Sequence, residues 1–341
     1  MASSRERVTA ALALDMADHP PVSAWGHTYD REWGVDSLVE ATVSAARRFD
    51  FDFVKLQIRA SCFAEAFGAR WRPSGSAAAE PVLERAGGTT VEEWRRIAEG
   101  AVDPAPVDIQ VDVLRRVAAE LGTEIPCLQT VFSPGMVAWF LAGRDARLLL
   151  ELVRDEPGLM AAGMAQIADL LASFTSDSVT AGAAGVFYAI NPLADASLVG
   201  AEDYGRSFLP HDRVAIEPAS AGWFNMLHLC GPRIDIGLIR SLPAHCVNWS
   251  THDDGNPGLA WVRDRFGRAV VGGLHRHSPI ADGSPEQVGV QARAALEETG
   301  GSGHLLTPGC SVSPWQATPA ANLEELVRSA REPAARSPRG R

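Results

Sequence analysis

The chain has 341 residues, 46% of them apolar and 21% charged, with a net charge of −11. That length and apolar share build a large core, and an acidic chain without a dense basic stretch is a poor partner for nucleic acid or an anionic membrane. Five cysteines, an odd number in a long chain, argue against a disulfide framework. Met1-Ala2-Ser3-Ser4-Arg5-Glu6-Arg7 runs into an amphipathic helix rather than a signal-type apolar run, and no uncharged apolar stretch reaches a membrane span. The expectation is a cytoplasmic protein with reduced thiols.

In chain order, short apolar runs at 22–26, 52–58, 126–132, 185–190, 224–230, 246–251, 269–274 and 304–307 read as strands. Helical stretches at 38–49, 106–121, 146–174, 234–241, 259–266, 285–299 and 319–331 lie between or after them. Strands alternating with helices imply a parallel sheet, and eight such units closing on themselves give a (β/α)8 TIM-type barrel, here expected as one domain over 1–331. An open doubly wound sheet is the competing fold, but no Gly-x-Gly-x-x-Gly turn follows the first strand. Residues 61–103 interrupt the rhythm with Gly, Pro and small residues and no clear strand. They are expected to form an excursion after the second strand, a lid or wall over the barrel mouth. The Pro-, Ser- and Arg-rich end, 332–341, reads as a disordered tail.

One histidine and two cysteines carry the chemistry. His228 and Cys230, two apart in an apolar run, leave the same face of a strand, with Gly231-Pro232 turning the chain after them. Cys310 follows Pro308-Gly309 after the last strand. All three fall at C-terminal strand ends, the face where barrel active sites sit. Imidazole plus two thiolates with an open fourth position is the ligand set of a reactive zinc site, which can hold a substrate thiol as a nucleophilic thiolate. A lone cysteine in an apolar strand is more often packing, and Cys62, Cys127 and Cys246 are read that way. Other residues near strand ends are weaker: His27, Lys55 and Arg59 as substrate-binding groups, and Asp253 and His275 as catalytic or ligand-orienting groups, each equally suited to a solvated loop.

The chain resembles the uroporphyrinogen decarboxylase superfamily, and within it the zinc-dependent, corrinoid-linked methyltransferases. The resemblance rests on Arg5-Glu6-Arg7-Val8 leading into Pro20-Pro21-Val22, and on Thr130-Val131-Phe132-Ser133-Pro134 ahead of a helix at 138–143. Glu202-Asp203-Tyr204, His228-Leu229-Cys230-Gly231, Gly309-Cys310, Thr318-Pro319 and Asn322-Leu323 complete it. It implies a (β/α)8 barrel with zinc held by His228, Cys230 and Cys310, a small thiol acceptor, and a methyl group delivered from a corrinoid on a separate protein. A homodimer is compatible with the fold. The decarboxylase branch carries an Arg-Gln-Ala-Gly-Arg-Tyr run after the first strand, where this chain has Ala24-Trp25-Gly26-His27-Thr28-Tyr29-Asp30. A tetrapyrrole polycarboxylate needs such arginines for charge-assisted pairing. Three alternatives remain: decarboxylation of a smaller carboxylated substrate, thiol alkylation by a non-corrinoid electrophile, and a non-catalytic metal- or corrinoid-binding accessory role.

Overall fold

A computed structural model describes residues 1–312 and 315–332, so the expected tail lies, from residue 333 on, outside the described residues. In chain order the strands are β1 (Val54–Lys55), β2 (Arg70–Arg72), β3 (Val82–Arg85), β4 (Cys127–Phe132), β5 (Gly185–Ile190), β6 (Met226–Leu229), β7 (Cys246–Asn248), β8 (Ala269–Leu274) and β9 (His304–Pro308). Seven of them form one parallel sheet in the order β1-β4-β5-β6-β7-β8-β9. Helices connect successive strands and cover the outside, and the sheet curls into a TIM-type barrel. β4, β5, β6 and β8 are buried along their whole length, as strands packed on both faces must be.

The first expected strand, 22–26, takes the eighth place without becoming a regular strand. Val22 bridges Leu306 in parallel. On that side Leu306 N donates to Pro21 O (2.9 Å) and Ser23 N to Leu306 O (3.2 Å). On the β1 side Asp52 N donates to Val22 O (2.9 Å), and Val22 N donates to the Asp52 carboxylate (2.9 Å). The ladder fails because Pro20-Pro21 offer no N–H, and because a side chain, not a carbonyl, takes the Val22 donor. Asp52 is 1% exposed, and its other oxygen accepts from Arg7 (2.9 Å) and Ser4 (2.9 Å). The seam is thus closed by a buried, fully partnered carboxylate.

The excursion after β1 corrects one expectation: it contains strands. β2 and β3 form an antiparallel hairpin, between a short helix Cys62–Glu65 and a capped helix Val91–Ala98. Trp94, fully buried, donates Nε1 to Gly88 O (3.0 Å) and lies on Gly163, where a Cβ would come within 2.6 Å of the indole. That contact docks the excursion onto the helix Pro157–Thr180. The expected helix at 146–174 divides at Glu156 into Ala146–Asp155 and Pro157–Thr180, because the residue before a proline is driven out of helical geometry. The helix Pro157–Thr180 has 24 residues and is long and apolar enough, by length and composition alone, to cross a membrane. It carries Asp169 and Asp177 and buries Met160, Met164, Ile167 and Leu171, as a core helix of a packed protein does.

Candidate metal centre

β6 places its residues level with two neighbours: His228 pairs with Ala189 on β5 and with Asn248 on β7. Paired positions in register put their side chains on one face, so the His228 and Asn248 side chains meet inside the barrel. His228 Nδ1 donates to Asn248 Oδ1 at 2.6 Å. The Asn248 amide nitrogen donates to Val271 O (2.9 Å) on β8, which fixes which amide atom faces the imidazole. His228 is thereby held as the Nδ1–H tautomer, leaving the Nε2 lone pair pointed at sulfur. Phe187 stacks on the ring with centroids 4.9 Å apart.

Cys230 leaves the end of β6, and Gly231 turns the chain away at a φ of +110°, a conformation that glycine adopts without strain. Cys310 arrives from the far side of the sheet. At Gly309 a Cβ would come within 2.5 Å of the Ser250 backbone, so only glycine lets the segment after β9 lie this close to β7. Cys310 Sγ then sits 3.5 Å from His228 Nε2 and 3.7 Å from Cys230 Sγ. All three donor atoms lie within 4.8 Å of one another.

These separations match a metal's coordination edges. With Zn–S near 2.3 Å and Zn–N near 2.0–2.1 Å, a tetrahedron has S···S edges of about 3.8 Å and S···N edges of about 3.6 Å. Two sulfurs and one imidazole nitrogen suit zinc by softness as well as by spacing. Electrostatics agree. The hydrogen bond from Cys230 holds the Cys310 thiol well below the ordinary thiol range, with His228 and Arg276 adding to it against burial. The same contact, with burial, pushes Cys230 up. Arg276 Nη1 stands 3.9 Å from Cys230 Sγ. The remaining cysteines behave differently. Burial pushes the Cys127 thiol up to about 12 and raises Cys62 and Cys246 further.

All three donors line one cavity of about 360 Å³ at the barrel mouth. Its polar side is a chain of hydrogen bonds. Glu32, 3% exposed, accepts from His27 Nδ1 (2.8 Å) and from Thr28 N (2.9 Å). Gln57 Nε2 lies 2.8 Å from His27 Nε2, and Gln57 Oε1 accepts from Lys55 Nζ (2.5 Å) and Ser311 Oγ (3.2 Å). Lys55 also lies 4.7 Å above the Phe187 ring, and burial lowers it to about 7. Its opposite side is aromatic, made by the excursion and the helix Pro134–Leu141, whose start is capped by Ser133 Oγ accepting from Met136 N (3.0 Å).

Of the residues singled out from sequence, His27 and Lys55 thus line the cavity beside the triad. Arg59 does not: it is buried in an ion pair with Glu65 (2.6 Å) and lies 4.6 Å over the Trp33 ring. Asp253 and His275 are also outside the lining. Asp253 accepts from Ser250 Oγ (3.1 Å), while His275 Nδ1 accepts from the backbone of His277 (3.3 Å) and Ser278 (3.1 Å). Burial, then the neighbouring His252 and His277, keep His275 below its ordinary value. The sequence reading missed Asn248, Gln57, Glu32 and Arg276. An asparagine two residues into a predicted strand is a signal, because a central strand rarely buries an amide without a partner.

Residues 34–333 match the family described as uroporphyrinogen decarboxylase (URO-D). Among solved structures, a methyltransferase from Methanosarcina mazei superposes with a TM-score of 0.78 at 17% identity, covering 97% of this chain and 98% of that one. A B12-independent methionine synthase from Shewanella sp. W3-18-1, in complex with selenomethionine, superposes at 0.55 with 12% identity, covering 87% of this chain and 86% of that one. A putative vitamin-B12-independent methionine synthase from Listeria monocytogenes does so at 0.52 with 13% identity and the same coverage. At these identities the likeness is one of fold. No curated protein matches the chain in sequence.

Proposed function

The chain belongs to the uroporphyrinogen decarboxylase family, and from that premise we propose that it is a zinc-dependent alkyltransferase, moving a methyl group from a corrinoid carried by a separate protein to a small thiol. The observation that carries this reading is the donor set: His228, Cys230 and Cys310 at coordination-edge distances, opening onto a cavity. Zinc held there would supply the acidity that keeps a thiol ionised at neutral pH. That one structural neighbour is a methyltransferase favours the same reaction class.

The chain's own residues divide the remaining work. Asn248 fixes the His228 tautomer. Arg276, beside Cys230, offsets the negative charge of two sulfurs. The buried Glu32–His27 pair, joined through Gln57 to Lys55, holds the polar wall of the cavity in one arrangement beside the triad. The aromatic wall keeps water from competing for the alkyl group.

Decarboxylation of a smaller substrate fits the lining of the cavity less well. Its carboxylates would need cations in the cavity, and of those lining it Arg144 is already paired with Glu80 (2.7 Å), Lys55 is lowered by burial to about 7, and Arg276 faces the Cys230 sulfur. Metal analysis of the purified chain, followed by methyl transfer from methylcobamide to a panel of thiols, tests the proposal. About one zinc per chain and turnover lost on chelation would support it. Turnover of a carboxylated substrate that survives zinc removal would replace it with the decarboxylase reading.

A further inference from the structure

The cavity is much larger and less polar than a two-carbon thiol requires. Its volume of about 360 Å³ falls within the roughly 300–1,000 Å³ of sites that enclose drug-sized ligands. Away from the triad its wall is Trp71 from β2, Phe132 from the end of β4, and Met136, Trp139 and Phe140 from the helix Pro134–Leu141. These rings are packed against each other: Trp71–Phe140 at 6.0 Å, Phe132–Phe140 at 5.7 Å and Trp139–Phe140 at 5.3 Å between centroids. Trp71, Phe132, Met136 and Phe140 are each between 4% and 7% exposed although they line the cavity, so they form a fixed apolar wall.

The charges on the wall point the same way, because each is already engaged. Arg144 pairs with Glu80 and lies over the Phe140 ring at 4.9 Å. Arg276 donates Nε to His277 (3.0 Å) and faces Cys230. Lys55 is held by Gln57 and the Phe187 ring, and Glu32 by His27. At the aromatic end the cation is Arg144, whose charge Glu80 already takes, while Lys55 and Arg276 stand at the sulfur end; on the aromatic wall a flat neutral group meets a ready surface.

We infer that the thiol accepted at this site carries a neutral aromatic group, which lies against Trp71, Trp139, Phe140 and Met136 while its sulfur reaches the Cys230–Cys310 end. This rests on the triad being the sulfur-binding end, as proposed above, and adds the substrate class. Burying an aryl ring in such a pocket is worth more than tenfold in affinity over leaving it in water.

The test is calorimetric binding to the zinc-loaded full chain of 2-phenylethanethiol, 2-mercaptoethanesulfonate and the sulfur-free 2-phenylethanol. The arylalkyl thiol is expected to bind at least about tenfold tighter than the sulfonate. Trp139→Leu and, independently, Trp71→Leu should each weaken the arylalkyl thiol several-fold while zinc content is unchanged. Equal or tighter binding of the sulfonate, or unaltered affinity in both leucine variants, overturns the inference. If the metal reading alone fails, the chain takes up no zinc, yet 2-phenylethanol still binds and still loses affinity in Trp139→Leu. That result keeps the aromatic seat and removes the metal.

Discussion

Asn248 Oδ1 lies 2.6 Å from His228 Nδ1, and the two residues occupy paired positions on adjacent parallel strands. The asparagine is itself held by a carbonyl of the next strand. Three neighbouring strands therefore determine the orientation of one imidazole before any ligand binds.

Asn248→Ala should lower zinc affinity about 10–100-fold, the usual loss when a residue orienting a metal-binding histidine is removed. Asn248→Asp, which preserves an acceptor toward Nδ1, should recover much of it. Competition with a metal indicator dye reads both; an alanine variant that binds zinc as tightly as the parent would refute the orienting role.

Cys310→Ala should lose more zinc than Asn248→Ala, because a donor atom goes rather than its support. Cys246→Ala supplies the control: that sulfur is fully buried in β7 with its thiol pushed up by burial, and its loss should leave zinc content intact. Elemental analysis of the two proteins settles the contrast.

Asp52→Ala should destabilise the fold by about 1–3 kcal/mol, since it leaves the buried Val22 N–H without an acceptor, while Arg7 keeps its ion pair with Asp18 (2.8 Å). Chemical denaturation gives the magnitude. Hydrogen exchange at Val22 should quicken well beyond what global instability explains, and exchange that tracks the global value would show the seam to be closed by other means.

His304 sets an acid limit. Burial lowers it from 6.5 to about 4, while its ring donates Nε2 to Gly272 O (3.1 Å). Below pH 6.5 the unfolded chain takes up a proton that the folded chain refuses, so stability is lost as pH falls from about 6.5 through about 4. The full loss is about 3 kcal/mol. Asp212, raised to about 6 by burial against Tyr188 and Tyr204, acts in the opposite sense, gaining stability as it is protonated in the same interval. Comparing His304→Gln with the parent across pH 4–7 cancels Asp212; parallel stability curves would contradict the assignment.

How much of this could be read beforehand follows from what each signal depends on. The barrel was legible because buried strands of β-branched and aromatic residues alternate with helices, a pattern written locally. His228 and Cys230 were legible because a two-residue spacing fixes a shared face in any strand. The Asn248 contact was hidden, since it depends on register between β6 and β7, which no short pattern encodes. The β2–β3 hairpin was missed for another reason: β3 is exposed throughout and shows no alternation. Arg59 sits near a strand end as expected of a substrate group, but Glu65, six residues further on in the short helix that follows, claims it.

The Cys230–Cys310 approach also reaches beyond chemistry at the mouth. β6 and β9 are separated in the sheet by β7 and β8, and the two sulfurs lie 80 residues apart in sequence. A metal shared between them would act as a clasp across that quarter of the wall. Its release would leave β7, β8 and their helices free to open as a unit while the other strands stay closed. Proteases would then find the empty protein first in the stretch between the two cysteines, and metal supply would govern how long the chain survives as well as whether it turns over.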